Sequence, residues 1–513
     1  MKKRKLKRFN PIFAFILLII GTLILSQILS FVGVQAEYST VNIVTTELTN
    51  NVVQVENLLS GHGIRYIATN AVSDFVNFTP FSMLILILIG IGMLDKSGFI
   101  KSFFTLITQS FRKNTLTFII ILLSIISSIT GDIGYVIFLP LGALLFKHGR
   151  RNPLGGIVAS FAGLSFGYGV NVFLSTTDTT LLGMTLNASH ILQGNYTSNT
   201  LFQVLFMAIA LIIISITFTI ITEQVVMLEL GKYEFEEIET LGAVKLTNRE
   251  LRGLILGIGA GILFSLIIIY FIVPGLPFSG ALLDSGAKYY IDKVFGTGSL
   301  FNKAYVFIIT LDFFIIGLVY GLVAKTIKSS KDVTDGLAHS LDGIGSIIVL
   351  IFFASMFISI FKKSNIGLVI TAGLSNIISN LNLTGLTLVI VLFVISLISS
   401  LFYTSLAMKW SVLSGITVPV FMNASLSPEF AQVIYMTGAT SAWALSPLMA
   451  YYVIYLAFME KYSNGEVTLF GSAKYLVPYS LACICIWSIL ILIFYVSGLP
   501  IGIGTWPGVS YVS

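Results

Sequence analysis

The stretch SLAMKWSVLSGITVPVFM, residues 405–422, decides the fold. It is apolar enough to lie in a membrane, yet it holds Lys409, Trp410 and Pro419 among Ser414, Gly415 and Thr417. Proline removes a backbone donor and the small residues loosen the helix around it, so the run reads as a broken span. Pro428 starts or bends the next piece, and in TGATSAWALSPLMAYY, residues 437–452, Pro447 interrupts a third.

A matching element lies in the first half, in GLSFGYGVNVFLSTTDTTLLGMT, residues 163–185. There Gly167, Gly169, Asn171, Thr177 and their neighbours crowd the intramembrane acid Asp178. Such density permits close helix packing, or it marks an unwound hairpin whose oxygens line a cavity, because irregular backbone at membrane depth survives only beside protein or water. Two discontinuous segments in corresponding positions of two halves point to a transporter's midplane site. Lys409 then faces a cavity and offers charge to an anionic substrate or a nearby carboxylate, or it snorkels to the interface from a re-entrant hairpin.

The whole chain supports a membrane setting. Of its 513 residues 56% are hydrophobic and 10% charged, and the mean hydropathy is +0.95. This is the composition of a polytopic membrane protein. The net charge of +6 sits in short clusters beside apolar segments, as the positive-inside rule requires, and not in a nucleic-acid-binding patch. Cys483 and Cys485 lie two apart in an apolar run, where a helix points them to different faces, so neither a disulfide nor a metal site is expected.

The basic start, Lys2 to Lys5, precedes an apolar run too long for a signal peptide, so a retained first helix with a cytoplasmic N-terminus is expected. Residues 1–36 form this basic segment and helix, and 37–79, with one Arg and no Lys, an extracytoplasmic loop. The first membrane half, 80–222, has a hairpin near 155–176; a cytoplasmic connector, 223–251, carries Glu234, Glu236, Glu237 and Glu239 and a capping box at Thr247-Asn248-Arg249-Glu250. The second half, 252–497, has a hairpin near 403–430, and the uncharged tail, 498–513, ends outside. Segment 116–146 has basic clusters at both ends, which an interruption turning near Gly131-Asp132-Ile133-Gly134 keeps on one side. The intramembrane acids are Asp132, Asp178 and Asp312; for Asp312 a structural hydrogen bond is as good a reading as a transport role, and it stays out of the site.

An enzyme is not expected. The four histidines are scattered, and no HExxH, Walker A or CxxC pattern occurs. A channel would need a continuous polar pore, whereas paired broken hairpins favour alternating access. An inactive homologue that only binds ligand remains the other alternative.

The order of several blocks resembles the AbgT family, named for p-aminobenzoyl-glutamate transport, over nearly the whole chain. The resemblance is carried by NFTPFSMLILILIGIGMLDKSGFI from Asn77, GDIGYVIFLPLGALLFKHGRRNPLGGI from Gly131, Asn171 with TTDTTLLGMT, FFASMFISIFKKSNIG from Phe352, Lys409-Trp410, Val418-Pro419 and SPEFAQVIYMTG. It implies an all-α homodimer in the plasma membrane, with about nine transmembrane helices and two re-entrant hairpins per chain in an inverted-repeat secondary transporter. It also implies ion-gradient-driven movement of p-aminobenzoyl-glutamate or a related aromatic anion, or export of sulfonamide-like antimetabolites. No cofactor is expected; the coupling ion is sodium or a proton. The functional positions of the family fall on Asn171, Asp178, Trp410, Pro428 and Pro447, to which the residues themselves add Thr177 and Lys409; a sodium ion would sit near Asn171 and Asp178. Two family charges are absent: where the pattern has an arginine and an aspartate, this chain has Met436 and Ala439. A second serine of the Lys-Trp block is likewise replaced, by Ala407.

Overall fold

The computed structural model describes residues 10–41, 48–233, 246–381, 383–463 and 467–508. The basic start and the glutamates at 234–239 of the connector lie outside them. Helix α1 (Pro11–Val32) begins where the Asn10 side chain accepts from the Ile12 amide at 2.9 Å, satisfying one free donor of the first turn. An antiparallel pair follows, β1 (Gln35–Val41) and β2 (Leu48–Gln54). The all-α expectation misses it, because Gln35 to Thr40 carries no alternating apolar stripe to announce a strand. Helices α2 (Gly61–Val76) and α3 (Thr79–Lys96) then run almost without a break, so much of the expected loop 37–79 is regular structure.

After α4 (Phe99–Ser110), α5 (Lys113–Ile126) tightens into a 3-10 turn at 127–130 and stops at Gly131, whose φ of 77° reverses the chain into α6 (Ile133–His148). Arg151, just beyond α6, donates to the Thr117 hydroxyl near the start of α5 at 2.8 Å. The segment 116–146 is thus folded back on itself at Gly131. Helix α7 (Pro153–Phe166) gives way to irregular backbone at 167–175 before α8 (Thr176–Ser189). Within the stretch 155–176, where a hairpin is expected, the small residues unwind the backbone, and α7 and α8 make no extensive contact with each other. Helix α9 (Val204–Ile221) continues through one π turn into α10 (Met227–Leu230).

The second half opens with α11 (Asn248–Ile272) on the capping box read from the sequence, in which the Thr247 amide and hydroxyl donate to Glu250 at 2.7 and 2.8 Å. Short α12 (Tyr290–Phe295) precedes α13 (Leu300–Ala324), α14 (Ser330–His339), α15 (Gly345–Lys363) and α16 (Ile366–Asn380). Then α17 (Gly385–Phe402) turns at 403–405 into α18 (Leu406–Asn423), and α19 (Pro428–Thr440) is separated from α20 (Tyr452–Tyr462) by irregular backbone at 441–451. Residues 403–430 thus hold the turn, all of α18 and the entry to α19. Short α21 (Leu469–Lys474) leads to α22 (Val477–Ser497), where Cys483 is buried and Cys485 exposed, both free.

We call α5 to α8 the first unit and α17 to α20 the second; each holds two helices about a turn, then two helices about a stretch of irregular backbone. In the first unit α6 and α7 touch backbone to backbone, since a β-carbon on Gly156 would lie 2.0 Å from the Gly142 carbonyl oxygen. The units meet where α18 packs on α8, and α11, α13 and α3 pack together beside them. Among the described residues nine helices are long and apolar enough to cross a membrane, and the chain is a multi-pass membrane protein.

Candidate functional site

Asp178 is the third residue of α8, where a capping box uses it. Its Oδ2 accepts from the Ser175 hydroxyl at 2.6 Å and the Ser175 amide at 2.9 Å, and its Oδ1 accepts from Gln203 at 2.8 Å. The side chain is fully buried, with both oxygens engaged at the positive end of a helix. Asn171, in the break before it, donates through Nδ2 to the Ser128 hydroxyl at 2.8 Å, and the Gly169 amide donates to the same oxygen at 3.3 Å. Ser128 belongs to the turn between α5 and α6, so the first turn and the first break are tied together. The Asn171 Oδ1 is buried without a hydrogen-bond partner, which leaves one oxygen able to accept a proton donor or a cation. The Thr177 hydroxyl pairs with that of Tyr168 at 3.1 Å.

In the second unit Lys409 does not face a cavity. It is fully buried on α18, its ammonium donates to the Ser400 hydroxyl across the turn, and it lies 5.8 Å from the centre of the Tyr435 ring. The lysine is thus held inside the α17–α18 pair, where a hydroxyl and an aromatic face replace water. Trp410 stacks on Tyr435 at 4.6 Å and its indole nitrogen reaches the Thr185 hydroxyl on α8. Pro428 occupies the first turn of α19, where its missing N–H costs nothing, behind a Ser427 cap that accepts from the Phe430 amide at 3.2 Å. Pro447 lies within the second break. Met436 and Ala439 are buried on α19, and the Met436 methyl fills the space beside Gly169, where a β-carbon would come within 1.6 Å of it.

The two turns and the two breaks converge on one cavity of about 620 Å³. The first unit contributes Asp132, Tyr168, Thr176 and Thr177 to its wall, and the second contributes Thr404, Ser405, Ala407, Trp443 and Tyr451. The segment between α11 and α13 closes it with Asp284, Asp292 and Phe295. Thr179 of α8 donates to the Asp292 carboxylate at 2.8 Å. Burial pushes the Asp292 carboxyl above its ordinary range, and this hydrogen bond opposes the shift. Of the residues selected from the sequence, Thr177 forms part of the wall; Asn171, Asp178, Lys409, Trp410, Pro428 and Pro447 do not. Asp132 was legible as an intramembrane acid, whereas Asp284 and Asp292 sit in a segment that reads as an ordinary connector.

A second cavity, of about 630 Å³, meets the first at Asp132, Ala450 and Tyr451 and holds Asp74, Lys362 and Lys363. Lys363 is paired with Glu56 at 2.9 Å.

The chain matches the AbgT putative transporter family over residues 7–508. It is 28% identical over 501 residues to the p-aminobenzoyl-glutamate transport protein of Escherichia coli strain K12, an alignment covering 98% of this chain and 95% of that protein. Two solved structures are also similar. The Alcanivorax borkumensis YdaH transporter, described as having an unusual topology, is 25% identical, with 96% of this chain and 100% of that chain covered and a TM-score of 0.48. Neisseria gonorrhoeae MtrF, described among antimetabolite efflux pumps, is 28% identical, with 99% and 98% covered and a TM-score of 0.49.

Proposed function

The chain belongs to the AbgT putative transporter family, and from that premise we propose that it is an ion-gradient-driven secondary transporter moving a small aromatic compound across the plasma membrane. The observation that carries this reading is the convergence of both turns and both breaks on one cavity. Alternating access needs a site that two repeated units can each expose in turn, and paired discontinuous helices supply it. In this reading α5–α6 and α17–α18 are the re-entrant hairpins of an inverted repeat. The crossings are then α1, α3, α7–α8, α9–α10, α11, α13, α15, α19–α20 and α22, an odd number that puts the N-terminus inside and the C-terminus outside. Two contacts support the path: Lys474 pairs with Glu229 at the ends that would be cytoplasmic, and the Ile503 amide donates to the Leu201 carbonyl at 3.1 Å on the other face.

Asn171, Thr177 and Asp178 are the proposed ion-linked groups. A sodium ion would find oxygens there, with the unpartnered Asn171 Oδ1 first among them, and a proton-coupled cycle would use Asp178. Trp410, Pro428 and Pro447 position the second unit, and Lys409 sets the shape of its turn. A homodimer belongs to the same proposal, and cross-linking in native membranes tests it.

p-Aminobenzoyl-glutamate, for which the Escherichia coli relative is named, is the first substrate to test. A cavity wall without a cation favours a second reading, in which the cargo is a less acidic aromatic compound, sulfonamide-like antimetabolites included. Uptake of each into proteoliposomes, with sodium and proton gradients imposed separately, decides. Saturable flux driven by one gradient is expected; absence of gradient-driven flux for both classes in correctly folded protein would overturn the proposal.

A further inference from the structure

Among the described residues, the cavity between the two units carries three carboxylates, Asp132, Asp284 and Asp292, and no lysine, arginine or histidine in its wall. Its aromatic faces are Tyr168, Phe295, Trp443 and Tyr451. Two of the three acids come from the segment between α11 and α13, and both are held in place. Asp292 accepts from Thr179 at 2.8 Å. Asp284 accepts from the Gly286 amide at 2.9 Å, its own amide donates to the Lys293 carbonyl at 2.9 Å, and its second oxygen lies against Gly298, where a β-carbon would come within 2.2 Å of it.

These contacts come from neutral donors and none is an ion pair. Among the described residues neither Asp284 nor Asp292 has an ion-pair partner within 4.0 Å. The nearby Lys288 ammonium lies 5.2 Å from the centre of the Tyr289 ring, and Lys409 is turned to Ser400 inside the α17–α18 pair. A cleft of one charge sign with low-dielectric walls concentrates ligands of the other sign. Aromatic faces add to the attraction for a cation, and most of all when it is stripped of water.

We propose that this cavity recognises its substrate by a positive charge carried on an aromatic body, a protonated amine or amidine, with Asp284 and Asp292 as specificity-determining residues. The inference rests on reading the cavity as the substrate site. A carboxylate in the same place would meet three acids and no basic side chain, so an acidic compound binds there only with its acid groups directed elsewhere, as toward Lys362 in the adjoining cavity.

The test is calorimetric titration of the full-length protein in lipid nanodiscs with benzamidinium, benzamide and benzoate, three probes of one shape and charges of opposite sign or none. Benzamidinium is expected to bind on the order of tenfold tighter than benzamide, with benzoate weaker than either. Asp284→Asn and Asp292→Asn should each lower the affinity for benzamidinium by more than they lower that for benzamide, and so erode the preference. The ranking of the three probes on the unmodified protein decides the matter should either variant fail to fold. Benzoate binding as tightly as benzamidinium, and lost on Ala407→Trp, which fills the cavity, would overturn the charge assignment and leave the cavity as the site. No binding by any probe, or binding that survives a folded Ala407→Trp protein, would remove the cavity reading and this proposal with it.

Discussion

The Trp410 indole nitrogen donates to the Thr185 hydroxyl at 2.9 Å, and that hydroxyl in turn donates to the Gln432 carbonyl oxygen at 2.7 Å. Three helices, α18, α8 and α19, are thereby joined across the two units through one buried oxygen. Trp410→Phe keeps most of the ring volume but removes the donor, and is expected to cost about 2 kcal/mol. Thr185→Val should cost more, because it strands both the indole N–H and the Gln432 oxygen. Thermal unfolding of the detergent-solubilised protein measures both, and a milder effect for Thr185→Val would contradict the relay.

Asp178→Asn is expected to abolish coupled transport with little loss of stability. The Gln203 Oε1 is buried without a partner, so rotating the Gln203 amide lets that oxygen accept from the new asparagine. Gradient-driven flux at the wild-type rate in this variant would take Asp178 out of the coupling mechanism.

Gly169 has φ 76° and lies against the Met436 methyl. Gly169→Ala should destabilise by about 2 kcal/mol, part from the clash and part from the left-handed backbone. Met436→Ala empties a buried site and should itself cost more than about 2 kcal/mol, but it also relieves the clash, so the double variant should lose less than the sum of the two single losses. Additive losses in the melting series would show that the two residues are not in contact.

Arg151 donates to Glu223 at 2.6 Å, Thr117 donates to the same oxygen at 2.5 Å, and the guanidinium lies 4.0 Å from the centre of the Phe146 ring. Removing one charge from so buried a pair leaves the other uncompensated, and Glu223→Gln is expected to cost about 3 kcal/mol. Replacing both members with methionine should cost less than replacing Glu223 alone. Chemical denaturation of the three variants checks the order.

Asp332 at the start of α14 accepts from the amides of Lys328 and Ser329 at 2.8 and 2.9 Å, and these bonds hold its carboxyl below the ordinary 3.8. A depressed carboxyl contributes stability that is complete above its unfolded pKa and is lost as pH falls through its folded value. Hydrogen exchange of the first turn of α14 should therefore quicken in acid below pH 3.8, relative to the turns around it, and Asp332→Asn should flatten that response.

The membrane class, the interruption at Gly131 and the second break were legible because glycine, proline and hydroxyl residues stand out against an apolar background. The small residues at 163–169 signal loosened backbone, which the structure shows at 167–175, but loosening is compatible with an unwound span as well as with a reversal. Lys409 misled, since its sequence shows a cation in a membrane but not the Ser400 hydroxyl that the turn brings beneath it. Asp284 and Asp292 gave no signal at all. Their role depends on a connector folding over the cavity, a long-range placement that local pattern does not encode.

The backbone contact at Gly142 and Gly156 makes α6 and α7 one plank. No side chain lies between the two glycines to compress or slide, so a push delivered at the turn 149–152 reaches Asp132 at one end of α6 and the 167–175 segment at one end of α7 undiminished. Flexure of the pair is then expected first at the joints, Gly131 and 167–175, both of which lead to residues at the edge of the cavity, Asp132 and Tyr168.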